Sequence, residues 1–211
     1  MIKSFYFCIF SCVFLFADLS NDIINKHSSL CKKGNVNACQ IVGFEYQRKN
    51  NPQKAAEFFA LGCPLNKKKN LTSCNDAGFN YQQIGDYQNM LKYYTIACDN
   101  NYPLGCYNLG YVYDTGNSQP QDILLAQEYY NKACYTKNGY YPACGNLARI
   151  YLLQYKEELS KQAAEYGCKN NDGLSCYNLG VIYHYNYKDL NMANSFYKKA
   201  CRLGFNQACN F

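Results

Sequence analysis

Cysteine spacing is the feature that most limits how this chain can fold. Twelve of its 14 cysteines follow an apolar N-terminal segment and form six close pairs, which recur about every 32–38 residues. A period of this length is typical of repeat proteins, and an even number of cysteines predicts a disulfide framework in an exported chain. The pairs are Cys31/Cys39, Cys63/Cys74, Cys98/Cys106, Cys134/Cys144, Cys168/Cys176 and Cys201/Cys209.

A helical pattern accompanies the second cysteine of the first five pairs. Counting this cysteine as position 0, an apolar residue stands at +3, a small residue at +4 and a tyrosine at +7. These positions share one face of an α-helix, which we call an A helix, and we expect this face and its tyrosines to pack in the core. The small residue indicates the close approach of a second helix, and it is Gly43, Gly78, Gly110, Ala148 or Gly180.

A second type of helix, the B helix, precedes the first cysteine of each later pair. Its marker is the residue four positions before that cysteine, which is Phe59, Tyr94, Tyr130, Ala164 or Tyr197. Each disulfide would join the end of a B helix to the first turn of the next A helix. The sequence therefore predicts an N-terminal capping helix within residues 18–37 and five A/B hairpins over residues 38–211.

Residues 1–17 have the pattern of a secretory signal peptide. Lys3 precedes an apolar stretch that ends at Phe16, and Ala17 marks the cleavage site. The stretch is short for a membrane span. Lipid attachment at Cys12 is the alternative, but the apolar run continues past this residue and favours cleavage after Ala17, which removes Cys8 as well. We therefore expect a secreted or periplasmic protein with no stable membrane anchor.

Charge and histidine content argue against several classes of function. The chain has 21 Lys and Arg against 15 Asp and Glu, and apart from Lys67–Lys69 the excess of +6 is spread out. Nucleic-acid binding needs a denser basic face, so we expect no nucleic-acid partner. His27 and His184 are the two histidines and no Cys-x-x-Cys occurs, so we expect no metal site and no cofactor.

The repeats resemble a known family. A helices of the form Cys-x-Asn-Leu-Gly, as at residues 106–110, alternate with B helices such as residues 129–134 (Tyr-Tyr-Asn-Lys-Ala-Cys) and 196–201 (Phe-Tyr-Lys-Lys-Ala-Cys). This pattern resembles the Sel-one-like repeat, a relative of the tetratricopeptide repeat. Across residues 21–211 the cysteine positions resemble the Helicobacter cysteine-rich protein family.

The resemblance carries expectations about both fold and function. It implies an all-α protein, a right-handed α/α solenoid of tetratricopeptide-like (Sel-one-like) helical hairpins stapled by disulfides. It also implies penicillin binding and β-lactamase activity, with a β-lactam or peptidoglycan-derived ligand.

The residues themselves add little to the β-lactamase interpretation. Serine β-lactamases use a Ser-x-x-Lys nucleophile with Ser-Asp-Asn and Lys-Thr-Gly elements. Two Ser-x-x-Lys strings occur, Ser29 with Lys32 and Ser195 with Lys198, and strings this short arise by chance. Residues 73–75 and 137–139 match the other two elements only in part. A hydrolase assignment therefore depends on the resemblance.

The face of the A helices opposite the packed face is an alternative site. Positions +2, +5 and +9 fall on it, and we expect them to line the concave side of a solenoid. Amides on consecutive repeats could bind the main chain of an extended peptide, and an arginine could bind its carboxylate. The candidates are Asn108, Asn146, Asn178, Arg149 and Tyr111.

Two interpretations of this face, and two functions, stay open. The asparagines at +2 could instead bind the free amides of their own helix's first turn. On function, the sequence leaves a β-lactam hydrolase and a non-catalytic module that binds peptides, cell-wall fragments or a protein partner.

Overall fold

The computed structural model describes residues 19–63 and 70–211, and within these ranges every regular element is helical. The predicted signal peptide and Lys67–Lys69 lie outside them. No described helix has the length and apolar composition needed to cross a membrane. The elements are α1 (19–32), α2 (Val36–Arg48), α3 (Pro52–Gly62), α4 (Leu71–Gln83), α5 (Tyr87–Asp99), α6 (Pro103–Thr115), α7 (Ile123–Tyr135), α8 (Pro142–Leu153), α9 (Glu157–Lys169), α10 (Gly173–Tyr185), α11 (Leu190–Arg202) and the 3-10 helix η1 (Asn206–Asn210).

The helices are grouped in two compact units that divide within α5, after Ile96. In the first unit α1 is followed by the hairpin α2/α3, then by α4 and most of α5. The second unit holds the hairpins α6/α7, α8/α9 and α10/α11, followed by η1. The even-numbered helices α2–α10 are the predicted A helices and the odd-numbered α3–α11 are the B helices. Since each unit stacks α-helical hairpins, the predicted all-α solenoid class is confirmed.

Short polar side chains cap the N-termini of five helices. Asn35, Asn51, Asp122, Asp172 and Asp189 each accept a hydrogen bond from a backbone N–H three residues ahead, at 2.7–3.0 Å. Such N-caps satisfy amides that have no partner inside the helix. The hairpin turns are therefore fixed by local sequence.

Each glycine at +4 of an A helix lies directly beneath a ring of its B helix. The rings are fully buried, and a Cβ atom added to the glycine would meet ring atoms well inside normal carbon contact distance. The predicted close approach is thus between backbone and ring. The nearest distances from the added Cβ to the ring are 2.7 Å for Gly43 and Phe59, 2.6 Å for Gly78 and Tyr94, 2.7 Å for Gly110 and Tyr130, and 2.4 Å for Gly180 and Tyr197.

The fourth hairpin departs from the pattern at both positions together. Ala148 replaces the glycine and Ala164 replaces the ring, and both are fully buried. Ser160 packs at the same junction, where its hydroxyl donates to the Ala148 carbonyl at 2.8 Å. Without a ring at 164 the methyl group of Ala148 has room, so the two departures compensate each other.

The tyrosines at +7 pack on a second row of aromatic residues, five positions before the first cysteine. They are half-buried at the edge of the hairpin, except Tyr151, which is buried and belongs to the hairpin with Ala163 at the position of the second aromatic row. They therefore pack between the helices, as predicted, but mostly outside the fully buried core. The ring centroids are 5.5 Å apart for Tyr46 and Phe58, 5.4 Å for Tyr81 and Tyr93, 5.9 Å for Tyr113 and Tyr129, and 5.4 Å for Tyr183 and Phe196.

The structure joins each cysteine to its neighbour in sequence through a disulfide, with Cα atoms 4.5–5.0 Å apart. The sequence separations of 8–11 residues correspond to about 2.5–3 kcal/mol of chain-entropy stabilisation for each bridge. The bridges are Cys31–Cys39 between α1 and α2, Cys63–Cys74 between α3 and α4, Cys98–Cys106 between α5 and α6, Cys134–Cys144 between α7 and α8, Cys168–Cys176 between α9 and α10, and Cys201–Cys209 between α11 and η1.

The last bridge differs from the predicted arrangement. The second cysteines of the first five pairs lie in the first turn of an A helix, as expected, and these are Cys39, Cys74, Cys106, Cys144 and Cys176. Cys209 instead belongs to the short 3-10 helix η1, which comes directly after α11. The bridges thus link consecutive hairpins as far as α10, and the sixth fixes η1 to the last hairpin.

Candidate functional site

The surface of the A helices at +2, +5 and +9, which we call the A-helix face, carries exposed apolar and aromatic side chains at +5 and +9 in both units. Position +5 places Phe44, Phe79 and Tyr111 in solvent, and position +9 does the same for Leu153 and Tyr185. Monomeric proteins seldom expose large apolar side chains in register along consecutive repeats unless the surface binds something. The A-helix face is therefore the candidate site.

In the first unit this face is formed by α2 and α4. Phe44 and Phe79 each expose 47% of their surface, and they occupy equivalent positions of consecutive hairpins. The Phe44 ring also meets Phe59 edge-on, with centroids 5.1 Å apart, so its orientation is fixed. Beside Phe79 a cleft of about 190 Å³ is lined by polar groups, among them Asn80 and Gln83. The exposed Phe79 ring and the polar cleft together can bind an apolar side chain of a ligand and the main-chain groups next to it.

A carboxylate, Asp76, occupies position +2 of α4. Burial raises its pKa above the ordinary carboxyl value, and a hydrogen bond from Asn75 opposes the shift. The ring hydroxyl of Tyr94 lies close enough for the Asp76 charge to contribute to a further rise in the pKa of that hydroxyl, which burial mainly causes. A partly desolvated anion of this kind favours a cationic or hydrogen-bond-donating ligand group.

In the second unit the same face carries an ion pair. Arg149 at +5 of α8 pairs with Asp114 near the end of α6, and the Tyr130 hydroxyl donates to the same carboxylate at 3.2 Å. The Arg149 side chain is still 39% exposed, whereas Asp114 is nearly buried. The arginine predicted to bind a ligand carboxylate is thus already neutralised by its neighbour, next to the exposed Tyr111.

Two of the predicted ligand-binding amides bond to the preceding A helix. Asn178 is buried, and its amide donates to the Gly145 carbonyl at 2.8 Å. The side chain of Asn146 hydrogen-bonds the hydroxyl of Tyr107. Tyr107 is at +1 of α6, which is the position that Gly145 occupies in α8. These asparagines hold consecutive repeats together, a role that neither the peptide-ladder nor the capping interpretation anticipated. Asn108, the remaining candidate, is half-buried on α6.

The paired cysteines that start the A helices do not contribute to the A-helix face. Cys39, Cys74, Cys106 and Cys144 each expose at most 1% of their surface, so no ligand on that face can reach their sulfurs. All four are oxidised, and a sulfur in a disulfide is neither a thiolate nucleophile nor a metal ligand. Their role is to hold the hairpins in register beneath the face.

The two Ser-x-x-Lys strings lie in different units. Ser29 and Lys32 are both exposed on α1. Ser195 and Lys198 are exposed on α11 and line a cleft of about 500 Å³, but the Ser195 hydroxyl donates to the Met192 carbonyl at 2.7 Å. That hydroxyl proton is therefore directed to backbone and not to a base.

No metal centre is evident in the described part of the chain. Within residues 19–63 and 70–211, no three His, Cys, Asp or Glu side chains lie close enough together to hold a metal ion. His184 stacks on Tyr185, with centroids 4.4 Å apart, and His27 binds the Ile23 carbonyl.

Comparison with known proteins identifies the repeat. The model of the Sel1 repeat matches residues 103–135 and 173–205, which correspond to the hairpins α6/α7 and α10/α11. Two of the hairpins thus match the Sel1 repeat. Together the two matches cover the first and last hairpins of the second unit, on either side of the divergent α8/α9 hairpin.

Solved structures have the same fold of stacked helical hairpins. A Sel1 repeat protein from Oxalobacter formigenes has a TM-score of 0.67 at 19% identity, over 88% of this chain and 86% of that chain. YrrB, described as a TPR protein with an unusual peptide-binding site, has a TM-score of 0.54 at 16% identity, over 84% of this chain and 91% of that one. At these identities the likeness establishes the fold alone.

One curated relative is more similar in sequence. Cytochrome c oxidase assembly factor 7 of Xenopus tropicalis is 31% identical in an alignment of 124 residues, and the match covers 52% of this chain and 53% of the relative. The match thus spans about half the length of each protein. These comparisons support the Sel1-repeat part of the family prediction and give no support to the β-lactamase interpretation.

Three features of the site were not predicted from the sequence. The positions of the A-helix face were predicted, but Asp114 was not expected as the partner of Arg149, since 35 residues separate them. The second aromatic row of the B helices, one position before the first row, was not predicted either. The bonds of Asn146 and Asn178 to the preceding repeat could have been suspected from the sequence, because an asparagine recurs at +2 of the consecutive A helices α6, α8 and α10.

Proposed function

We propose that the protein is a non-catalytic binding module that holds an extended peptide segment of a protein partner on the A-helix face. The observation that carries this proposal is the pair Phe44 and Phe79, two half-exposed rings in register on consecutive hairpins of one unit. Side chains two or more residues apart on an extended peptide can insert beside such rings, and polar groups between them can bind its main chain. Large aromatic side chains also provide much of the binding energy at protein interfaces.

The polar residues of the face set the expected chemistry of the peptide. The partly desolvated Asp76 in the first unit favours a segment with a lysine, an arginine or a free amine next to an apolar residue. In the second unit Arg149 already pairs with Asp114, so we expect it to assist binding weakly. We therefore propose an apolar segment with a cationic group as the ligand of the first unit.

The comparisons support a binding role in outline. YrrB is described as having a peptide-binding site, and the curated relative is named for assembly of cytochrome c oxidase. Neither is named as a hydrolase. We further propose, from the cysteine spacing, that the chain belongs to the Helicobacter cysteine-rich family. We also propose that it is exported, because six disulfides are typical of oxidising compartments and residues 1–17 have the pattern of a signal peptide.

The experiment is a selection of random displayed peptides of about 12 residues on the oxidised protein, followed by calorimetric titration of the best synthetic peptide. We expect the Phe44→Ala/Phe79→Ala variant to bind at least about tenfold more weakly, which corresponds to about 1.4 kcal/mol. Leu61→Ala is the matched control, because Leu61 is a similarly exposed apolar residue on the B helix α3 of the same unit. Equal affinity for both variants, or no selected peptide at all, would contradict the proposal.

A second measurement separates binding from hydrolysis. Nitrocefin turnover by the purified oxidised protein, lost in Ser29→Ala or Ser195→Ala, would make the protein a β-lactamase and overturn the non-catalytic assignment. We expect no turnover above that of the buffer.

A further inference from the structure

One disulfide differs from the other five in its exposure. The ten cysteines of the first five bridges are all buried, with at most 5% of their surface exposed. In the last bridge Cys209 is exposed and Cys201 is half-buried. Cys209 belongs to the short 3-10 helix η1, whereas the earlier second cysteines lie in the first turn of long A helices.

The same bridge lies in a positively charged cleft. Cys201 and Cys209 line the cleft of about 500 Å³ together with Lys198 and Arg202, and none of its lining residues is acidic. The attacking species in thiol–disulfide exchange is a thiolate, and its access and charge control the rate. Two cations beside an accessible sulfur attract an anionic thiolate and stabilise the thiolate that leaves.

We propose that the Cys201–Cys209 disulfide is a thiol–disulfide exchange site for anionic thiols of the glutathione class, and that the other five bridges are inert. A thiolate attacks the Sγ of Cys209, the exposed residue of the pair, and a new sulfur–sulfur bond forms as the Cys201–Cys209 bond breaks. Cys201 leaves as a thiolate and takes a proton from water. The product is a mixed disulfide at Cys209, with no net oxidant or reductant consumed.

Exchange would loosen the packing that η1 provides. Phe211 stacks on Tyr197 with centroids 4.3 Å apart, and Phe205 lies 4.9 Å from Tyr177. Once the bridge opens, these ring contacts and the buried Ala208 are what hold η1 to its hairpin. The modification therefore changes the surface at α11 and leaves the A-helix face of the first unit as it is.

The test is a time course of the oxidised full chain with glutathione, followed by acid quenching, alkylation and mass mapping. We expect one glutathione adduct, at Cys209, before any other cysteine reacts, and no adduct in Cys201→Ala/Cys209→Ala. The buried Cys168–Cys176 bridge is the internal control, because it has the same separation of 8 residues.

Charge selectivity provides the second readout. At low salt we expect glutathione to react at least about tenfold faster than the cationic thiol cysteamine after correction for their thiolate fractions. The variant Lys198→Glu/Arg202→Glu should lose this preference for glutathione over cysteamine. Lys156→Glu/Lys188→Glu, which changes net charge equally at exposed positions outside the cleft, should preserve it. Earlier reaction of another bridge, or an equal loss of selectivity in the control variant, would overturn the proposal.

Discussion

Gly43 lies beneath the buried ring of Phe59, and replacing it with alanine tests how the hairpins close. The added Cβ would stand 2.7–2.8 Å from three atoms of the ring, whereas carbon atoms normally approach to about 3.5–4.0 Å. The ring is fully buried, so it cannot move aside into solvent. Either the ring or the helix α2 must shift by about 1 Å.

The magnitude follows from two opposing effects. Overpacking of this kind costs about 1–3 kcal/mol, while replacing glycine by alanine inside a helix gains about 1 kcal/mol. Gly43→Ala should therefore lower the free energy of unfolding by about 0–2 kcal/mol. In a Phe59→Ala background, itself destabilised by about 3–5 kcal/mol, the clash is absent and the same change should stabilise by about 1 kcal/mol.

The assay is urea unfolding of the wild type, both single variants and the double variant, followed by far-UV circular dichroism with the disulfides intact. We expect a coupling energy of about 1–3 kcal/mol between the two positions. The matched control is Ala148→Gly in the fourth hairpin. Because Ala148 faces Ala164, we expect this change to destabilise by about 1 kcal/mol without relief of any clash.

Equal stabilisation of the wild type and of the Phe59→Ala variant by Gly43→Ala would refute a clash between the added methyl group and the ring. Zero coupling of this kind would mean that the glycine is not required by the ring. Stabilisation by Ala148→Gly would equally contradict the compensation inferred for the fourth hairpin.

Three further predictions concern the packing of the repeats and their bridges. Asn178→Ala should lower the free energy of unfolding by about 1–3 kcal/mol, because it leaves the buried Gly145 carbonyl without its donor; urea unfolding measures this. Asp76→Asn should stabilise the protein at neutral pH and lose this advantage well below the ordinary carboxyl pKa. Because the pKa of Asp76 is raised, the folded state binds the carboxyl proton more tightly than the unfolded state does. The favourable contribution of protonated Asp76 to the free energy of unfolding is therefore present in acid and is lost as pH rises through the folded-state pKa. Replacing both Cys168 and Cys176 by alanine should cost about 2.5 kcal/mol in the same unfolding assay.

Each of these has an outcome that would count against it. For Asn178 the control is Asn194→Ala on the exposed side of α11, which should change stability by less than about 0.5 kcal/mol. A similar loss in both would remove the special role of Asn178. For Asp76, an advantage of the asparagine variant that persists in acid would exclude a charge effect. For the bridge, unchanged unfolding with both cysteines replaced would show that it does not constrain the unfolded chain.

The A-helix face was predictable in position but not in character. Offsets from the cysteines placed +5 and +9 on the free face, because a helix fixes which residues point away from the core. They could not show that Arg149 is neutralised by Asp114, since that pair joins two hairpins through the spacing of α6 and α8. Nor could they show that Asn146 and Asn178 bond to the preceding repeat, because an amide at +2 is equally compatible with capping, binding and bridging.

The sequence by itself determined the helical hairpins, their turns and the disulfide partner of each cysteine. These are local properties, set by the helical period, by capping residues such as Asp172 and by the short separation of paired cysteines. Only the tertiary structure decided how the departures at Ala148 and Ala164 fit together, which bridge is exposed, and which polar groups are already bonded. Those outcomes depend on which side chains from distant parts of the chain compete for the same space, and a linear pattern does not contain that information.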